Sequence, residues 1–265
     1  MNIINIETVY FSATFSTQKI IRSIARQLGK TVTETDITIQ GFSSDIQLGK
    51  NEVLLVGMPV YAGRIPAKAV ESLKKIKGDN TPAVIVCVYG NRDYDDALLE
   101  LKETVEANGF RVVSAGAFIA CHSIFPQVAE NRPDEDDIRR VNQFGKQTAL
   151  LLESISDAGC LDKITIKGNI PYKKARKIPL HPKTDKNCNQ CGLCADQCPT
   201  QAISTENLSK TDKTKCIACG RCILVCRKNA RHFRGLLYKF AGKKFVKANS
   251  ARKEPETFFC EMTKE

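Results

Sequence analysis

The sequence lacks several features that would place it in a common class. No apolar run approaches the roughly 18 residues that a membrane-spanning helix needs. The first residues, MNIINIETVYFS, carry no charged region of the kind that begins a secretion signal. No glycine-rich nicotinamide fingerprint is present, which argues against direct use of NAD(P)H. These absences predict a cytoplasmic protein without a transmembrane segment.

Eight of the twelve cysteines stand in two runs of identical spacing. The runs are Cys188, Cys191, Cys194 and Cys198, and then Cys216, Cys219, Cys222 and Cys226. Each cysteine of the second run lies 28 positions after its counterpart (216 − 188 = 28), which indicates an internal duplication.

The spacing C-x2-C-x2-C-x3-C resembles that of bacterial ferredoxins, in which the fourth cysteine of each run ligates the cluster of the other run. This pattern assigns Cys188, Cys191, Cys194 and Cys226 to one 4Fe–4S cluster (cluster one), and Cys216, Cys219, Cys222 and Cys198 to another (cluster two). Structural zinc prefers separated pairs of ligands and suits the runs poorly. Disulfides would need an oxidising compartment. Arg227 replaces the proline usual after the fourth cysteine, but that proline is not a ligand.

The N-terminal part alternates strand and helix patterns. Strands are predicted near 6–12, 33–39, 53–57, 83–89 and 111–120, and helices near 20–28, 66–77, 94–108 and 134–156. The stretch GFSSDIQLGK is predicted as a loop or a single turn. Such alternation is typical of an α/β fold with a doubly wound parallel sheet.

A hydroxyl-rich turn, Ser12-Ala-Thr-Phe-Ser-Thr17, connects the first strand to the first helix. Backbone N–H groups at a helix N-terminus bind phosphate, and hydroxyls complete its shell. The turn has no lysine, so a nucleoside triphosphate site is not expected.

Three loops resemble those of flavodoxins. YFSATFST is similar to the flavodoxin phosphate loop, S/T-x-T-G-x-T; Pro59–Pro66 stands where a loop contacts the flavin ring; and GNRDY resembles the loop whose tyrosine stacks on the isoalloxazine. The resemblance implies a five-stranded parallel sheet in the order 2-1-3-4-5, with FMN at the carboxyl ends of the strands. The FMN-binding residues that it implies are Ser12, Thr14, Phe15, Ser16, Thr17, Pro59, Val60, Tyr61, Ala62, Gly63, Gly90, Asn91, Arg92 and Tyr94.

Two residues depart from the flavodoxin pattern. Phe15 replaces a glycine that allows close approach to the phosphate; a phenylalanine can serve there if its φ is negative and its ring points outward. Asn91 replaces an acid and removes a charge that would repel a reduced, anionic flavin. A flavin-free structural domain is the alternative interpretation, because fold does not imply function.

The remaining histidines and cysteines carry weaker signals. His122 stands at the end of the fifth strand and is a candidate for a substrate role, although a lone histidine is more often structural. The cysteines outside the two runs are expected to be small apolar residues or spectator thiols. These are Cys87, Cys121, Cys160 and Cys260.

Four segments are predicted along the chain. They are a flavodoxin-like FMN-binding domain (1–157), a basic proline-containing linker (158–186), a small α+β two-cluster ferredoxin domain (187–230) and a basic C-terminal tail (231–265). For the tail we consider a helix packed by its apolar side on the body, a docking patch for an acidic electron-transfer partner, and a nucleic-acid or membrane-surface contact.

The formal net charge of +11 would ordinarily point to nucleic acid or an anionic surface. Each oxidised cluster with four thiolates brings about −2, and a flavin phosphate about −2, so the loaded chain is nearer to about +5. About half of the basic excess can compensate cofactors. We therefore expect no specific nucleic-acid partner.

Joined together, the two domains resemble the flavodoxin–ferredoxin fusion proteins of anaerobic bacteria and archaea. The resemblance implies electron transfer between two 4Fe–4S clusters and FMN, to or from a redox partner protein that could be acidic. The alternative is an FMN-dependent reductase of a small molecule with the ferredoxin domain as internal donor. No catalytic residue is predicted, and the sequence leaves the direction of electron flow open.

Overall fold

The computed structural model describes residues 1–261, so the last four residues of the predicted tail lie outside it. The N-terminal part contains β1 (Asn5–Tyr10), α1 (Ser16–Leu28), β2 (Thr31–Asp36), β3 (Ile46–Leu48), β4 (Glu52–Pro59), α2 (Ala67–Leu73), β5 (Ile76–Gly78), β6 (Thr81–Tyr89), α3 (Ala97–Glu106), β7 (Phe110–Ile119) and α4 (Glu135–Ser154). The C-terminal part contains a 3-10 turn (Ala158–Cys160), β8 (Lys183–Thr184), α5 (Leu193–Asp196), α6 (Arg221–Leu224), β9 (Arg231–His232), α7 (Leu236–Ala248) and β10 (Glu256–Phe259).

The central sheet has the strand order β2-β1-β4-β6-β7-β10. The first five strands pair in parallel, and counted among themselves they follow the order 2-1-3-4-5 of the flavodoxin-like fold. Every residue of β6 is buried, as are all but the first of β4, because helices cover both faces of a parallel sheet. The predicted α/β fold class is confirmed.

The C-terminal strand was not predicted. Strand β10 pairs antiparallel with β7, with Phe258 opposite Ala115, and Phe259 lies 5.4 Å from the ring of Phe144 on α4. A four-residue run after a basic helix gives little local signal for a strand, and its partner lies far away in sequence. The C-terminal segment therefore completes the edge of the N-terminal sheet.

Two further stretches differ from the sequence-based expectation. The predicted helix near 66–77 ends at Leu73, and the chain then forms β5. Strand β5 pairs in parallel with β3, which lies inside the stretch predicted as a loop or turn. Both strands have three residues, which is too short for a periodic pattern to appear in the sequence.

Hydrogen bonds hold the predicted linker against the N-terminal part of the chain. The buried carboxylate of Asp96 accepts from the backbone N–H groups of Asn169 at 2.9 Å and Lys173 at 2.6 Å. Arg64 pairs with Glu100 at 2.6 Å and donates to the carbonyl of Lys173 at 2.9 Å. These contacts give the segment a defined path; the segment boundaries stay predictions.

The cysteine-rich segment packs directly on the N-terminal part. Cys219 belongs to the main hydrophobic core, and Ile217 packs against that core. The Lys68 ammonium group donates to the carbonyls of Ile39 at 2.5 Å and Pro199 at 2.6 Å, and so bridges the two parts of the chain. Burial lowers the pKa of Lys68.

Helix α7 packs through one side and leaves apolar side chains on the other. Tyr238 and Phe245 join a small aromatic cluster around Phe125, and Gly242 permits this approach because an added Cβ would lie 3.1 Å from the Phe125 ring. Leu236 and Phe240 are exposed. No helix among residues 1–261 has the length and apolar character needed to cross a membrane.

A buried ion pair between Arg132 and Asp137 fastens the start of α4 to the C-terminal segment. Both side chains are at most 5% exposed, and Arg132 also donates to the carbonyl of Lys253 at 2.8 Å.

Removing one partner of such a pair leaves an uncompensated charge, so we expect Asp137→Ala to lower the free energy of unfolding by about 3 kcal/mol or more in urea denaturation. The control Asp136→Ala removes an exposed carboxylate, and we expect it to change the free energy of unfolding by less than about 0.5 kcal/mol. Equal effects of the two variants would contradict this account.

Candidate functional site

Loops at the carboxyl ends of β1, β4, β6 and β7 meet at one cavity of about 340 Å³, here called the central cavity. Loops at this edge of an open α/β sheet are where such folds bind ligands. The opposite wall comes from the second half of the chain: from residues 178–180, from Ile217 and Ala218, and from α7. The cavity is therefore enclosed by segments that are distant in sequence.

The structure brings most of the predicted FMN-binding residues together around the central cavity. Its lining includes Thr14, Ser16, Pro59, Val60, Tyr61, Ala62, Gly63, Gly90 and Arg92. The lining does not include Ser12, Phe15, Thr17, Asn91 or Tyr94.

The turn before α1 has the chemistry of an anion-binding loop. The Ser12 N–H donates to the Thr38 hydroxyl at 2.7 Å, and the Ser12 hydroxyl accepts from the N–H of Gln18 at 3.0 Å. Thr14 and Ser16 hold their hydroxyls 3.3 Å apart. Among residues 1–261, no hydrogen-bond partner is found for the N–H groups of Ala13, Thr14, Ser16 or Thr17. Backbone donors and two hydroxyls are thus free for a phosphate group.

Phe15 adopts the backbone conformation of the glycine that it replaces. Its φ is 62°, in the left-handed region, so the condition of a negative φ is not met. A non-glycine residue held there costs about 1–3 kcal/mol and persists only where its surroundings stabilise it. Its ring points outward and is 43% exposed, and it lies under the guanidinium of Arg221 at 4.4 Å.

Arg221 is a residue of this site that the sequence did not identify. It begins α6 in the second cysteine run, and it is buried against the turn before α1. It donates to the carbonyls of Ser12 at 3.2 Å and Ala13 at 3.3 Å. No local pattern distinguishes it from Arg227, which directly follows the run, because its contacts with the turn before α1 lie more than 200 residues away in sequence.

Tyr94 and Asn91 hold the C-terminal segment in place. The Tyr94 hydroxyl donates to Glu256 on β10 at 2.7 Å, and the Lys167 ammonium lies 4.0 Å from the Tyr94 ring centroid. The Asn91 amide donates to the carbonyls of Asn249 at 2.9 Å and Ala251 at 2.8 Å. Both side chains are buried, and these contacts differ from the flavin contacts that the resemblance implies.

Tyr61 connects the central cavity to the second cysteine run. Its ring makes an edge contact with Phe11, with the ring centroids 6.4 Å apart. Burial raises its pKa well above the usual value, and the nearby Cys219 thiol raises it further. Tyr61 therefore stays neutral and lies close to a predicted cluster ligand.

His122 lies in the wall of the central cavity as a neutral imidazole. Its Nδ1 accepts from the N–H groups of Ile124 at 3.2 Å and Phe125 at 3.1 Å, so the neutral ring carries its proton on Nε2. Burial lowers its pKa to about 4, and the Arg92 charge acts in the same direction. Gly90 makes room for this ring, because an added Cβ would lie 2.5 Å from His122 Cδ2.

The cysteines of the two runs differ in exposure. Cys191 is exposed, the other three cysteines of the first run are half-buried or buried, and Cys219 and Cys222 of the second run are buried. Burial raises the pKa of Cys219 to about 12, and the thiols of Cys222, Cys198 and Cys216 are close enough to raise it further. Cys198 acts in the same way on Cys222 and Cys216. Cys198 of the first run is therefore within electrostatic range of three cysteines of the second run, and Cys194 is within range of Cys222 as well.

Sulfur atoms at equivalent positions of the two runs accept backbone hydrogen bonds. Ala202 donates to Cys198 Sγ and Ala230 donates to Cys226 Sγ, both at 3.2 Å. Arg231, which is 1% exposed, approaches Cys194 Sγ at 3.6 Å. Donors of this kind stabilise thiolate ligands. Within residues 1–261, no three His, Cys, Asp or Glu side chains are placed to hold a single metal ion.

The cysteines outside the runs sit away from these thiols where their side chains are described. Cys87 and Cys260 are buried, and Cys121 is half-buried and donates to the Pro126 carbonyl. The side chain of Cys160 lies outside the described part of the structure. All cysteines with described side chains are free thiols.

The lowered pKa of His122 gives a testable pH dependence. Because the folded state binds the imidazole proton less well than an unfolded chain does, protonation opposes folding between about pH 6.5 and about pH 4, and stability falls as pH drops through that window. In NMR spectra of labelled histidine, we expect the His122 resonance, assigned by its loss in His122→Gln, to titrate near pH 4. A midpoint near the ordinary 6.5 would contradict the described environment.

Comparisons with known proteins agree with the cysteine-rich part of this description. The 4Fe-4S dicluster domain family matches residues 187–231. Uncharacterized protein MJ0750 of Methanocaldococcus jannaschii is 43% identical over 51 residues, which are 19% of this chain and 20% of that protein. The chain therefore spans about a fifth of the length of this relative.

Two solved structures are similar to the N-terminal part. Rubredoxin oxygen:oxidoreductase from the anaerobe Desulfovibrio gigas is 15% identical, with a TM-score of 0.38, over 58% of this chain and 37% of its own. Fusobacterium nucleatum flavodoxin bound to flavin mononucleotide is 15% identical, with a TM-score of 0.39, over 54% of this chain and 96% of its own. The fold assignment rests on the observed strand order. The chain joins a flavodoxin-like α/β unit to a 4Fe–4S dicluster domain at residues 187–231.

Proposed function

We propose that this protein transfers electrons between two 4Fe–4S clusters and an FMN bound in the central cavity. One observation carries the proposal: Ile217 and Ala218, which lie between Cys216 and Cys219, form part of the cavity wall. A cluster held by the second cysteine run would therefore share a wall with the flavin. When bound, each cluster takes up or releases one electron, whereas a flavin accepts one or two.

The donor set supports two clusters. Eight cysteines in two runs supply the ligands that two cubes need. Cys198 raises the pKa values of Cys216, Cys219 and Cys222, which supports its assignment to cluster two. The equal spacing of the two runs then assigns Cys226 to cluster one. The N–H donors of Ala202 and Ala230 would orient these two crossing ligands.

The loops around the central cavity support FMN. The free N–H groups and hydroxyls of Thr14 and Ser16 would hold the phosphate, and the loop from Pro59 to Gly63 would contact the ring. Ser12 would act by orienting the loop, because its hydroxyl already accepts from Gln18. We assign Tyr94 and Asn91 to holding the C-terminal segment that closes the site.

We propose that cluster one lies nearer the surface and cluster two nearer the flavin. In support, Cys191 of cluster one is exposed, and Cys219 of cluster two belongs to the main hydrophobic core. A partner protein would therefore exchange electrons through cluster one. The same order serves either direction of flow.

The surface near the ligands of cluster one is basic. Lys186, Arg227 and Lys228 flank ligands of cluster one and are exposed. Opposite charge on a partner accelerates encounter, so an acidic redox protein is the partner that this surface favours. Thiolate cluster ligands would require a reducing compartment, and we propose the cytoplasm.

A second function is supported by a further cavity of about 560 Å³ that shares Thr14, Ser16 and His122 with the central cavity. A small molecule in this space would lie beside the flavin phosphate loop, with the Nε2 proton of His122 as a candidate donor. The chain would then be an FMN-dependent reductase with the clusters as internal donor. Steady turnover of a small acceptor by the purified protein with a chemical reductant would favour this function.

The electron-transfer proposal can be tested with a protein donor too large to enter the central cavity. With a reduced two-cluster ferredoxin as the donor, we expect anaerobic stopped-flow absorbance to show reduction of the bound FMN. Cys219→Ala should abolish or strongly slow this reduction because it removes a ligand of cluster two. Cys87→Ala, a buried cysteine outside the runs, is the control. An unchanged rate in Cys219→Ala would contradict the proposed route.

The crossed ligation can be tested by iron content. We expect Cys198→Ala to lower iron from about eight to about four per chain, because one cube loses a ligand. Combining Cys198→Ala with Cys219→Ala should cost no more iron than Cys219→Ala alone, because both cysteines serve cluster two. The matched pair Cys198→Ala with Cys188→Ala should lose nearly all iron. The reverse result for the two pairs would show that the crossing is wrong.

A further inference from the structure

We propose that Arg221, carried by the dicluster domain, is a positioning residue for the phosphate loop of the flavin site. The FMN phosphate would then be held by both parts of the chain. This inference rests on the proposed binding of FMN at the turn before α1. Three features of Arg221 carry it: its backbone contacts, its contact with Phe15, and its burial without an acidic partner.

The backbone contacts orient the loop. Arg221 Nη1 donates to the carbonyls of Ser12 at 3.2 Å and Ala13 at 3.3 Å. In a trans peptide plane the C=O and the following N–H point in opposite directions. Holding these two carbonyls towards Arg221 therefore turns the N–H groups of Ala13 and Thr14 away from it. Among residues 1–261 neither N–H has a hydrogen-bond partner, so both are available to an anion on the opposite side of the loop.

The contact with Phe15 stabilises a costly conformation. The Arg221 guanidinium lies 4.4 Å from the Phe15 ring centroid, which is cation–π distance. Phe15 has a φ of 62° and no side-chain hydrogen bond caps α1 at this position. A cation over the ring contributes about 0.5–2 kcal/mol and offsets part of the backbone cost. The same guanidinium thus contacts the loop at two points: the carbonyls of Ser12 and Ala13, and the ring of Phe15.

The burial of Arg221 calls for an anion nearby. The residue is 6% exposed, yet its hydrogen-bond partners are two carbonyls and the Gln197 Oε1 at 2.6 Å, all of them neutral. Its Nε is buried and has no partner among the described residues, and no salt bridge is found for it there. Buried arginine is rare unless its charge is compensated. An FMN phosphate on one side and the thiolates of Cys219 and Cys222 on the other would supply that compensation.

The inference predicts that Arg221 matters for the phosphate of the flavin more than for its ring. FMN and riboflavin, which lacks the phosphate, are the probes. Dissociation constants are measured anaerobically by flavin fluorescence for the full chain, Arg221→Gln and Arg221→Lys. Without Arg221 the N–H groups of Ala13 and Thr14 would no longer be held towards the phosphate. Losing about one hydrogen bond to a charged group costs about 1.5–3 kcal/mol, so we expect Arg221→Gln to weaken FMN binding by roughly 10–150-fold. Riboflavin affinity should change by less than about threefold, and Arg221→Lys should give an intermediate loss for FMN.

The control variant is Arg227→Gln, which removes the exposed arginine that directly follows the same cysteine run and should leave both affinities unchanged. Iron content is measured for each protein, and Arg221→Lys serves as the test if Arg221→Gln loses iron. Unchanged FMN affinity in both Arg221 variants, or equal losses for FMN and riboflavin, would overturn the inference. Failure of the unmodified chain to bind FMN would instead overturn the proposed function and, with it, this role of Arg221.

Discussion

The packing of the second cysteine run into the core of the α/β unit is the contact on which the rest of the arrangement depends. Cys219 is part of that core, and Ile217 and Ala218 form a wall of the central cavity. A ferredoxin domain on a flexible tether would leave both the cluster and the flavin loops open to water. Here the linker is tied to Asp96, and Lys68 bridges the two parts, so their relative position is set by buried contacts.

The central cavity is closed by segments that do not belong to a simple flavodoxin-like fold. Residues 178–180 and α7 cover it, and β10 anchors the chain beyond α7 on the edge of the sheet. This partial cover reduces contact of the site with water, which strengthens electrostatic interactions there. The loop residues Asn91 and Tyr94 are buried because they contact the chain that follows α7. Asn91 donates to the carbonyl of Asn249, and Tyr94 donates to Glu256 on β10.

Local patterns predicted much of this arrangement. Strand and helix periodicity, together with the three loop motifs, predicted the five parallel strands and the edge of the sheet where a ligand would bind, because both follow from short-range sequence order. The cysteine spacing predicted the dicluster domain for the same reason, since a cube takes three ligands from one tight turn. Thr14, Ser16 and the loop from Pro59 to Gly63 lie in the cavity lining as these motifs indicate.

Long-range contacts were not predictable. Phe15, at a positive φ, contacts Arg221; the buried Tyr94 donates to Glu256; and β10 pairs with β7. Each of these pairs is separated by more than 100 residues. Nothing in the spacing of the residues links the members of these pairs. In these segments tertiary contacts outweigh the local conformational preference of the sequence.

We propose that one chain holds two clusters and a flavin against a shared wall. The decisive measurement is anaerobic purification followed by iron, sulfide and flavin quantitation. We expect about eight irons, about eight sulfides and one FMN per chain. About four irons per chain, or eight irons without any flavin, would contradict it.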